Sequence, residues 1–120
     1  MKKNGIKLTW NFDIFIDGEI GCSYISDNDS HLIFYGDEVI TKSKTITIIF
    51  DYPLDGKFPM VFKSRNGFTR AKFYECVYRG YQKIYKSEDK YGVWGHCIGD
   101  LSLGCATEIS PGKFELGIDS

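Results

Sequence analysis

The chain has 120 residues, of which 15 are Lys or Arg and 16 are Asp or Glu, and its formal net charge is −1. Hydrophobic residues make up 42% and charged residues 26%, which excludes a disordered tail, a collagen-like chain and a membrane bundle. The length predicts a single domain over residues 1–120. Nucleic-acid binders concentrate basic residues on one face, whereas the charges here are balanced, so we expect no nucleic-acid partner. We also expect no membrane partner.

The first elements predicted along the chain are two strands that form a hairpin. Even-numbered residues from Leu8 to Ile16 are apolar and the residues between them are mostly polar. This period of two is typical of a half-buried strand. Asp17-Gly18 then favours a tight turn, and the alternation resumes from Ile20 to Tyr24.

Four more strands are predicted before the helix. They cover residues 31–35, 38–41, 45–52 and 58–63. The third has the clearest pattern, because β-branched residues dominate it and its apolar residues line one face. The fourth contains Pro59 near its start, which has no amide hydrogen to donate, and we therefore expect either an edge strand or a proline at the entry of the strand.

One long helix is predicted to begin after Thr69, whose side chain can cap it. Its apolar residues recur at spacings of three and four. They are Phe73, Cys76, Val77, Gly80, Tyr81 and Ile84. Gly80 costs up to about 1 kcal/mol relative to Ala, so we expect it to allow a close approach of the sheet or of a partner. Gly92 is the predicted stop.

The last predicted element is a hairpin over residues 101–109 and 114–118, joined by a turn at Ser110-Pro111-Gly112. Together the elements predict an α+β fold. We expect an antiparallel sheet of about six to seven strands, with the long helix packed on one face and this C-terminal hairpin.

The four cysteines predict a reducing compartment. Cys22, Cys76, Cys97 and Cys105 lie far apart, form no CxxC pair and follow no secretory signal. We therefore expect buried, free thiols in a cytoplasmic protein. Their spacing relative to the two histidines matches no zinc site, so we expect no metal and no cofactor.

His96 is the candidate catalytic residue. It lies in the glycine-rich segment between the helix and the last hairpin, where loops often carry functional side chains. Asp100 follows four residues later and could orient its ring. The alternative is a histidine that is hydrogen-bonded into the corner between helix and strand.

Arg65 and Arg70 flank the predicted start of the helix. Helix N-termini bind anions through unpaired backbone amides and the helix dipole, so these two arginines could help to hold a phosphate or a carboxylate. The segment lacks the motifs of a P-loop or a dinucleotide site. Helix capping and surface ion pairs are the alternative explanation.

Aromatic residues make up 16% of the chain, which is unusual for a small domain. Several lie outside the apolar stripe of the helix, and large rigid rings dominate binding interfaces. The candidate ligand-binding residues are therefore the aromatic residues Tyr74, Tyr78, Tyr85 and Trp94, together with Arg65, Arg70 and His96. The alternative is that the core encloses both faces of the helix.

The segment from Gly67 to Gly104 contains Gly-Phe-Thr-Arg, Gly-Tyr-Gln-Lys-Ile-Tyr-Lys-Ser-Glu and Tyr-Gly-Val-Trp-Gly-His-Cys-Ile-Gly-Asp-Leu. It resembles a small uncharacterised family of large DNA viruses, bacteria and single-celled eukaryotes. Members often have a longer insertion before Trp-Gly-His. The resemblance implies a viral or mobile-element origin and no particular activity. It also implies that Arg70, Glu88, His96 and Asp100 share a site or a buried hydrogen-bond network.

These observations favour a small, non-enzymatic cytoplasmic domain for binding or interaction. We expect it to recognise a protein partner or a small anionic molecule through an aromatic and arginine face near the helix, a surface that also allows a homo-oligomer. Two alternatives stay open. One is a small hydrolase or transferase that uses His96 and Asp100, and the other is an immunity or anti-defence inhibitor protein.

Overall fold

The computed structural model describes residues 7–120. Residues 1–6 lie outside this part, and so does the start of the chain, where we expect no secretory signal. In chain order the elements are strands β1 (Leu8–Asn11), β2 (Ile14–Ile16), β3 (Glu19–Gly21), β4 (Val39–Thr41), β5 (Thr45–Phe50), β6 (Phe58–Lys63) and β7 (Phe68–Thr69), helices α1 (Arg70–Tyr85) and α2 (Glu88–Tyr91), and strands β8 (Ser102–Ser110) and β9 (Lys113–Asp119).

The main sheet has five strands in the order β1, β8, β9, β5 and β6. Neighbours are antiparallel except β5 and β9, which run parallel with Ile48 opposite Phe114. The α+β class and the one long helix are confirmed in the described part of the chain. The sheet is smaller than predicted and mixed rather than antiparallel, because sequence alternation identifies strands but not the distant strands that they pair with.

Two small sheets take up the strands that the main sheet does not contain. β2 pairs with β3, and β4 pairs with β7. The turn at Asp17-Gly18 is confirmed, with φ of 52° and 82°. The predicted first strand is interrupted at Phe12, which is fully buried and whose amide donates to the Gly104 carbonyl at 3.0 Å. After Phe12 the chain leaves β8, so β2 lies outside the main sheet.

The predicted strand over residues 31–35 is wrong. A 3-10 turn, Ser30–Leu32, occupies this region, and the Leu32 amide donates to the Asp29 carbonyl at 2.9 Å. Ile33 makes only an isolated bridge to Ile14. The predicted strands over residues 38–41, 58–63, 101–109 and 114–118 are confirmed to within one residue at each end. The strand predicted over residues 45–52 ends at Phe50, and the one predicted over residues 20–24 ends at Gly21. β6 lies at the edge of the sheet, which is one of the two positions that Pro59 indicates.

Helix α1 begins where its capping residue predicts but ends earlier. The Lys72 amide donates to the Thr69 hydroxyl at 3.1 Å. The helix stops at Tyr85, and Gly92, with a φ of 65°, instead ends the short helix α2. Within residues 7–120, neither helix has the length and apolar character needed to cross a membrane.

Helix α1 packs directly on the inner face of the main sheet. The rings of Phe73 and Phe114 are 5.0 Å apart, and those of Tyr81 and Phe50 are 5.1 Å apart. An ideal Cβ at Gly80 would lie 2.2 Å from Cζ of Phe50. The expected close approach at this glycine is therefore confirmed, and the sheet makes it.

The added methyl group overlaps a fully buried ring, and such overpacking costs about 1–3 kcal/mol. Since alanine gains about 1 kcal/mol of helix propensity, we expect Gly80→Ala to lower the free energy of unfolding by up to about 2 kcal/mol. Urea denaturation measures the difference. Gly99→Ala is the matched control, since a Cβ at Gly99 meets nothing within 4 Å. A Gly80→Ala protein about 1 kcal/mol more stable than the wild type would show that the ring of Phe50 moves aside without cost.

Candidate functional site

Arg70 is part of the core rather than of a ligand site. It is 7% exposed, and its Nε donates to the Phe34 carbonyl at 2.9 Å. A terminal nitrogen donates to the Asn11 carbonyl, and the guanidinium lies 5.2 Å from the centre of the Phe12 ring. The carboxylate of Glu38 lies 3.7 Å from Nε. This arginine joins α1 to the N-terminal segments and does not face a binding surface.

The start of α1 offers few unpaired amides to an anion. The Arg70 amide donates to the Glu38 carbonyl at 2.9 Å, and the Ala71 amide donates to the Gly36 carbonyl at 3.0 Å. The Lys72 amide donates to the Thr69 hydroxyl at 3.1 Å. An anion site at a helix N-terminus needs such donors unpaired. Arg65 is exposed in the loop before β7, five residues ahead of the helix, and the first three amides of the helix are already occupied.

Tyr74 also belongs to the core rather than to an exposed aromatic face. Its side chain is fully buried, and its hydroxyl donates to the Tyr24 carbonyl at 2.7 Å. Burial raises the pKa of Tyr74 to about 12. Of the predicted ligand-binding residues, Tyr78, Tyr85 and His96 are half-buried and Trp94 is 52% exposed.

The structure brings three of these residues together at the C-terminal end of α1. Tyr85, Trp94 and His96 surround Tyr52, and we call these four residues the Tyr52 cluster. The Tyr52 hydroxyl is 2.9 Å from Nε2 of His96 and 2.8 Å from the Ser120 hydroxyl. The ring centres of Tyr52, Trp94 and His96 are 5.5–5.6 Å apart in every pair.

Backbone contacts fix the loop that carries Trp94 and His96. The Trp94 amide donates to the Pro53 carbonyl at 3.0 Å, and its indole nitrogen donates to the Leu54 carbonyl at 3.4 Å. The Tyr85 hydroxyl donates to the His96 carbonyl at 3.1 Å. The segment after β5, the end of α1 and this loop therefore form one connected unit.

Asp100 does not contact the His96 ring as the catalytic hypothesis expects. Its carboxylate accepts from the Cys97 amide at 3.1 Å, which stabilises the 3-10 turn Ile98–Asp100. No hydrogen bond joins Asp100 to His96 in the described residues. The partner of His96 is Tyr52, which sequence reasoning missed because nothing local links two residues 44 positions apart. The resulting chain of His96, Tyr52 and Ser120 can relay a proton, but it supplies no carboxylate.

The four polar residues of the family resemblance do not share one site. Arg70 donates to the carbonyl oxygens of Phe34 and Asn11, whereas Asp100 accepts from the Cys97 amide and His96 contacts the Tyr52 hydroxyl. Within residues 7–120, no side-chain hydrogen bond or ion pair joins Arg70 to any of the other three.

The cysteines and histidines form no metal site in residues 7–120. All four cysteines are free, as predicted. The expectation that they are buried is wrong for Cys22 and Cys97, which are exposed, while Cys105 is partly exposed. Only Cys76 packs as a small apolar residue, and burial raises the pKa of its thiol to about 11.

A second surface lies on the outer side of α1. Its residues line a groove of about 420 Å³, which we call the α1 groove. They are Tyr78, Arg79, Gln82, Lys83, Lys86 and Ser87. Of the predicted site residues it contains only Tyr78. None of its cations takes part in an ion pair within residues 7–120, where the two pairs found are Arg70 with Glu38 and Lys72 with Glu75.

A third surface lies between β6 and α1. Here residues 59–62 of the strand and Arg79, Gly80 and Lys83 of the helix line a groove of about 380 Å³, the β6 groove. Arg79 and Lys83 border both grooves. Because the two grooves share these two side chains and neither is lined by a carboxylate, they form one continuous basic surface. At the other end of the α1 groove, Lys86 and Ser87 also border a groove that contains Glu88 and Asp89.

Comparison with protein-family models, with curated proteins and with solved structures finds no match.

We expect the protein to lose stability at alkaline pH. Burial, and to a smaller extent the nearby charges of Glu88, Cys97, Asp100 and Tyr52, raise the pKa of Tyr85 from 10.0 to about 12. The unfolded chain loses this proton first, so stability is complete below the ordinary pKa and falls as pH rises towards the folded one. The urea concentration at the midpoint of unfolding should fall as the pH rises from about 10 to about 12. In Tyr85→Phe this midpoint should fall less steeply with pH.

The matched control is Tyr35→Phe, at a tyrosine that is 80% exposed. It should leave the slope unchanged. Equal slopes for wild type and Tyr85→Phe would show that Tyr85 ionises alike in the folded and unfolded chains.

Proposed function

We propose that this protein is a binding domain that recognises an anionic partner on the basic outer side of α1. One observation carries the proposal. Arg79, Lys83 and Lys86 follow one another at helical spacings of four and three along the α1 groove, beside the half-buried ring of Tyr78. This arrangement differs from the expected aromatic and arginine face, since Arg65, Arg70 and Tyr74 take no part in it.

The fold explains only part of this row of cations. Lys83 and Lys86 lie at the C-terminal end of α1, where the helix dipole favours a positive charge by about 0.3–1 kcal/mol. Arg79 and Lys83, however, are like charges at a spacing of four, which destabilise a helix by about 0.2–0.5 kcal/mol per pair. The whole chain has a net charge of −1, so the positive charge is a local concentration rather than an average property. A bound anion offsets the repulsion, and Tyr78 adds an aromatic surface that can contact the ligand.

An enzymatic role for His96 has weaker support. The ring nitrogen Nε2 contacts the hydroxyl of Tyr52, and the carboxylate of Asp100 is engaged by the Cys97 amide. A general base needs a group that orients it and a reacting atom within hydrogen-bond distance. The Tyr52 cluster supplies the first through a phenol, and the Ser120 hydroxyl beside it contacts that phenol rather than the His96 ring.

The proposal is tested by reversing the charge of the helix face. In the variant Arg79→Glu/Lys83→Glu/Lys86→Glu, we expect affinity for poly-L-glutamate to fall by at least about tenfold, or about 1.4 kcal/mol. Calorimetry at low and at moderate salt measures this, and the wild-type affinity should fall as salt rises.

A control variant separates the helix face from total charge. Lys7→Glu/Lys42→Glu/Lys113→Glu changes the net charge equally at three exposed lysines that border neither groove. It should bind polyglutamate within about threefold of wild type, since distant exposed charges are largely screened. Equal losses in the two variants would mean that binding follows net charge, and the proposal would fail.

A further inference from the structure

β6 presents an open backbone edge. It is the end strand of the main sheet, and it pairs with β5 residue by residue, from Thr45 opposite Lys63 to Phe50 opposite Phe58. Neither of the two small sheets continues it within residues 7–120. One side of its backbone therefore has no strand neighbour in the described chain.

The register shows which backbone groups face that open side. Antiparallel partners alternate between pairs that exchange hydrogen bonds and pairs that do not. Thr47 is opposite Val61, and its amide donates at 2.8 Å to the Gly112 carbonyl, away from β6. Pro59, two residues before Val61, has no amide hydrogen. The amide and carbonyl of Val61 therefore point outwards, and so do those of Lys63 by the same alternation.

The space beside this edge is the β6 groove. Met60 and Phe62 are half-buried on the side that faces α1, and Val61 is 60% exposed on the other face of the sheet. A further strand would lie about 4.8 Å from β6. Alternate side chains of that strand would then enter the groove, where they meet Arg79 and Lys83.

The charge of the groove selects the occupant. Its two cations have no ion-pair partner among the described residues, and no carboxylate lines it. An apolar strand would remove part of their solvation without compensation. A strand with carboxylates on the groove side would pair with both cations, so charge complementarity favours an acidic segment.

A second copy of the chain fits this edge less well. Two β6 strands paired antiparallel about Val61 would place Pro59 of one copy opposite Lys63 of the other. Each such pair would lack one amide donor. The same pairing would bring two sets of Arg79 and Lys83 towards one another, and like charges across an interface oppose association.

We propose that the open edge of β6 accepts an extended acidic segment of a partner protein as a sixth strand. The Val61 and Lys63 backbone groups would hydrogen-bond with it, and its carboxylates would contact Arg79 and Lys83. This inference rests on the proposed function and gives its partner a class and a binding mode. Strand addition of this kind takes affinity from the main chain and specificity from alternate side chains.

The test uses a synthetic peptide of alternating valine and glutamate, and the same peptide with every valine amide N-methylated. Residues that hydrogen-bond opposite Val61 and Lys63 share their face of the sheet, so the valines lie there when the glutamates enter the groove. Both peptides carry the same charge, but in this orientation the N-methylated peptide has no amide hydrogen to donate to β6. We expect the N-methylated peptide to bind wild type at least about tenfold more weakly. In the complex, amide exchange at Val61 and Lys63 should slow by a similar factor.

Two variants at one position test the same point on the protein side. Val61→Pro removes the outward amide but no hydrogen bond to β5, and Val61→Thr keeps that amide. Val61→Pro should bind the unmodified peptide at least about tenfold more weakly than Val61→Thr. If Val61→Pro fails to fold, the N-methylated peptide and the amide exchange of wild type decide the question.

The outcomes separate this inference from the proposed function. If both peptides bind equally and the Val61 amide stays unprotected, strand addition is wrong while the basic surface stands. If polyglutamate binds but neither peptide does, strand addition is again wrong. If nothing anionic binds, both proposals fail. A dimer in sedimentation analysis that Val61→Pro abolishes would assign the edge to a second copy and overturn the inference.

Discussion

The contact between Gly80 and the ring of Phe50 determines where α1 lies on the sheet. A Cβ at this position would fall 2.2 Å from the ring, so only glycine allows the helix to come this close to β5. Tyr81 then packs its ring edge against the same phenylalanine. The residues one before and three after this glycine are Arg79 and Lys83, and both border the open side of β6. One packing constraint thus sets the core and also the position of the basic surface.

The two arginines of α1 have opposite roles because different parts of the chain cover the two ends of the helix. Arg70, in the first turn, lies under the N-terminal segments, and backbone carbonyl oxygens of Phe34 and Asn11 accept its donors. A buried guanidinium needs such partners, since an unpaired buried charge costs several kcal/mol. Arg79 lies beyond this cover, is exposed and has no ion-pair partner among residues 7–120. Residue type alone does not distinguish the two positions.

Features that depend on neighbouring residues could be predicted from the sequence, and contacts between distant residues could not. The Thr69 cap, the Asp17-Gly18 turn and the edge position of β6 are all of the first kind. The parallel pairing of β5 with β9 is of the second kind, as are the contact of Tyr52 with His96 and the partners of Arg70. The helix pattern identified Tyr81 as core but missed Tyr74. The reason is that the segment around Tyr24 packs against a second side of the helix. The spacing of apolar residues along a helix does not reveal such a contact.

An open strand edge promotes unwanted association unless the surrounding residues oppose it. Here Pro59 removes one donor from the edge, and Lys63 adds a charge at its end. The cations of α1 act in the same direction, because any second copy brings its own Arg79 and Lys83 to the groove. These features disfavour pairing between identical chains, yet none of them penalises a strand that carries carboxylates. Protection against self-association and the proposed preference for an acidic segment therefore depend on the same side chains, so strand addition at Val61 requires no further residue for selectivity.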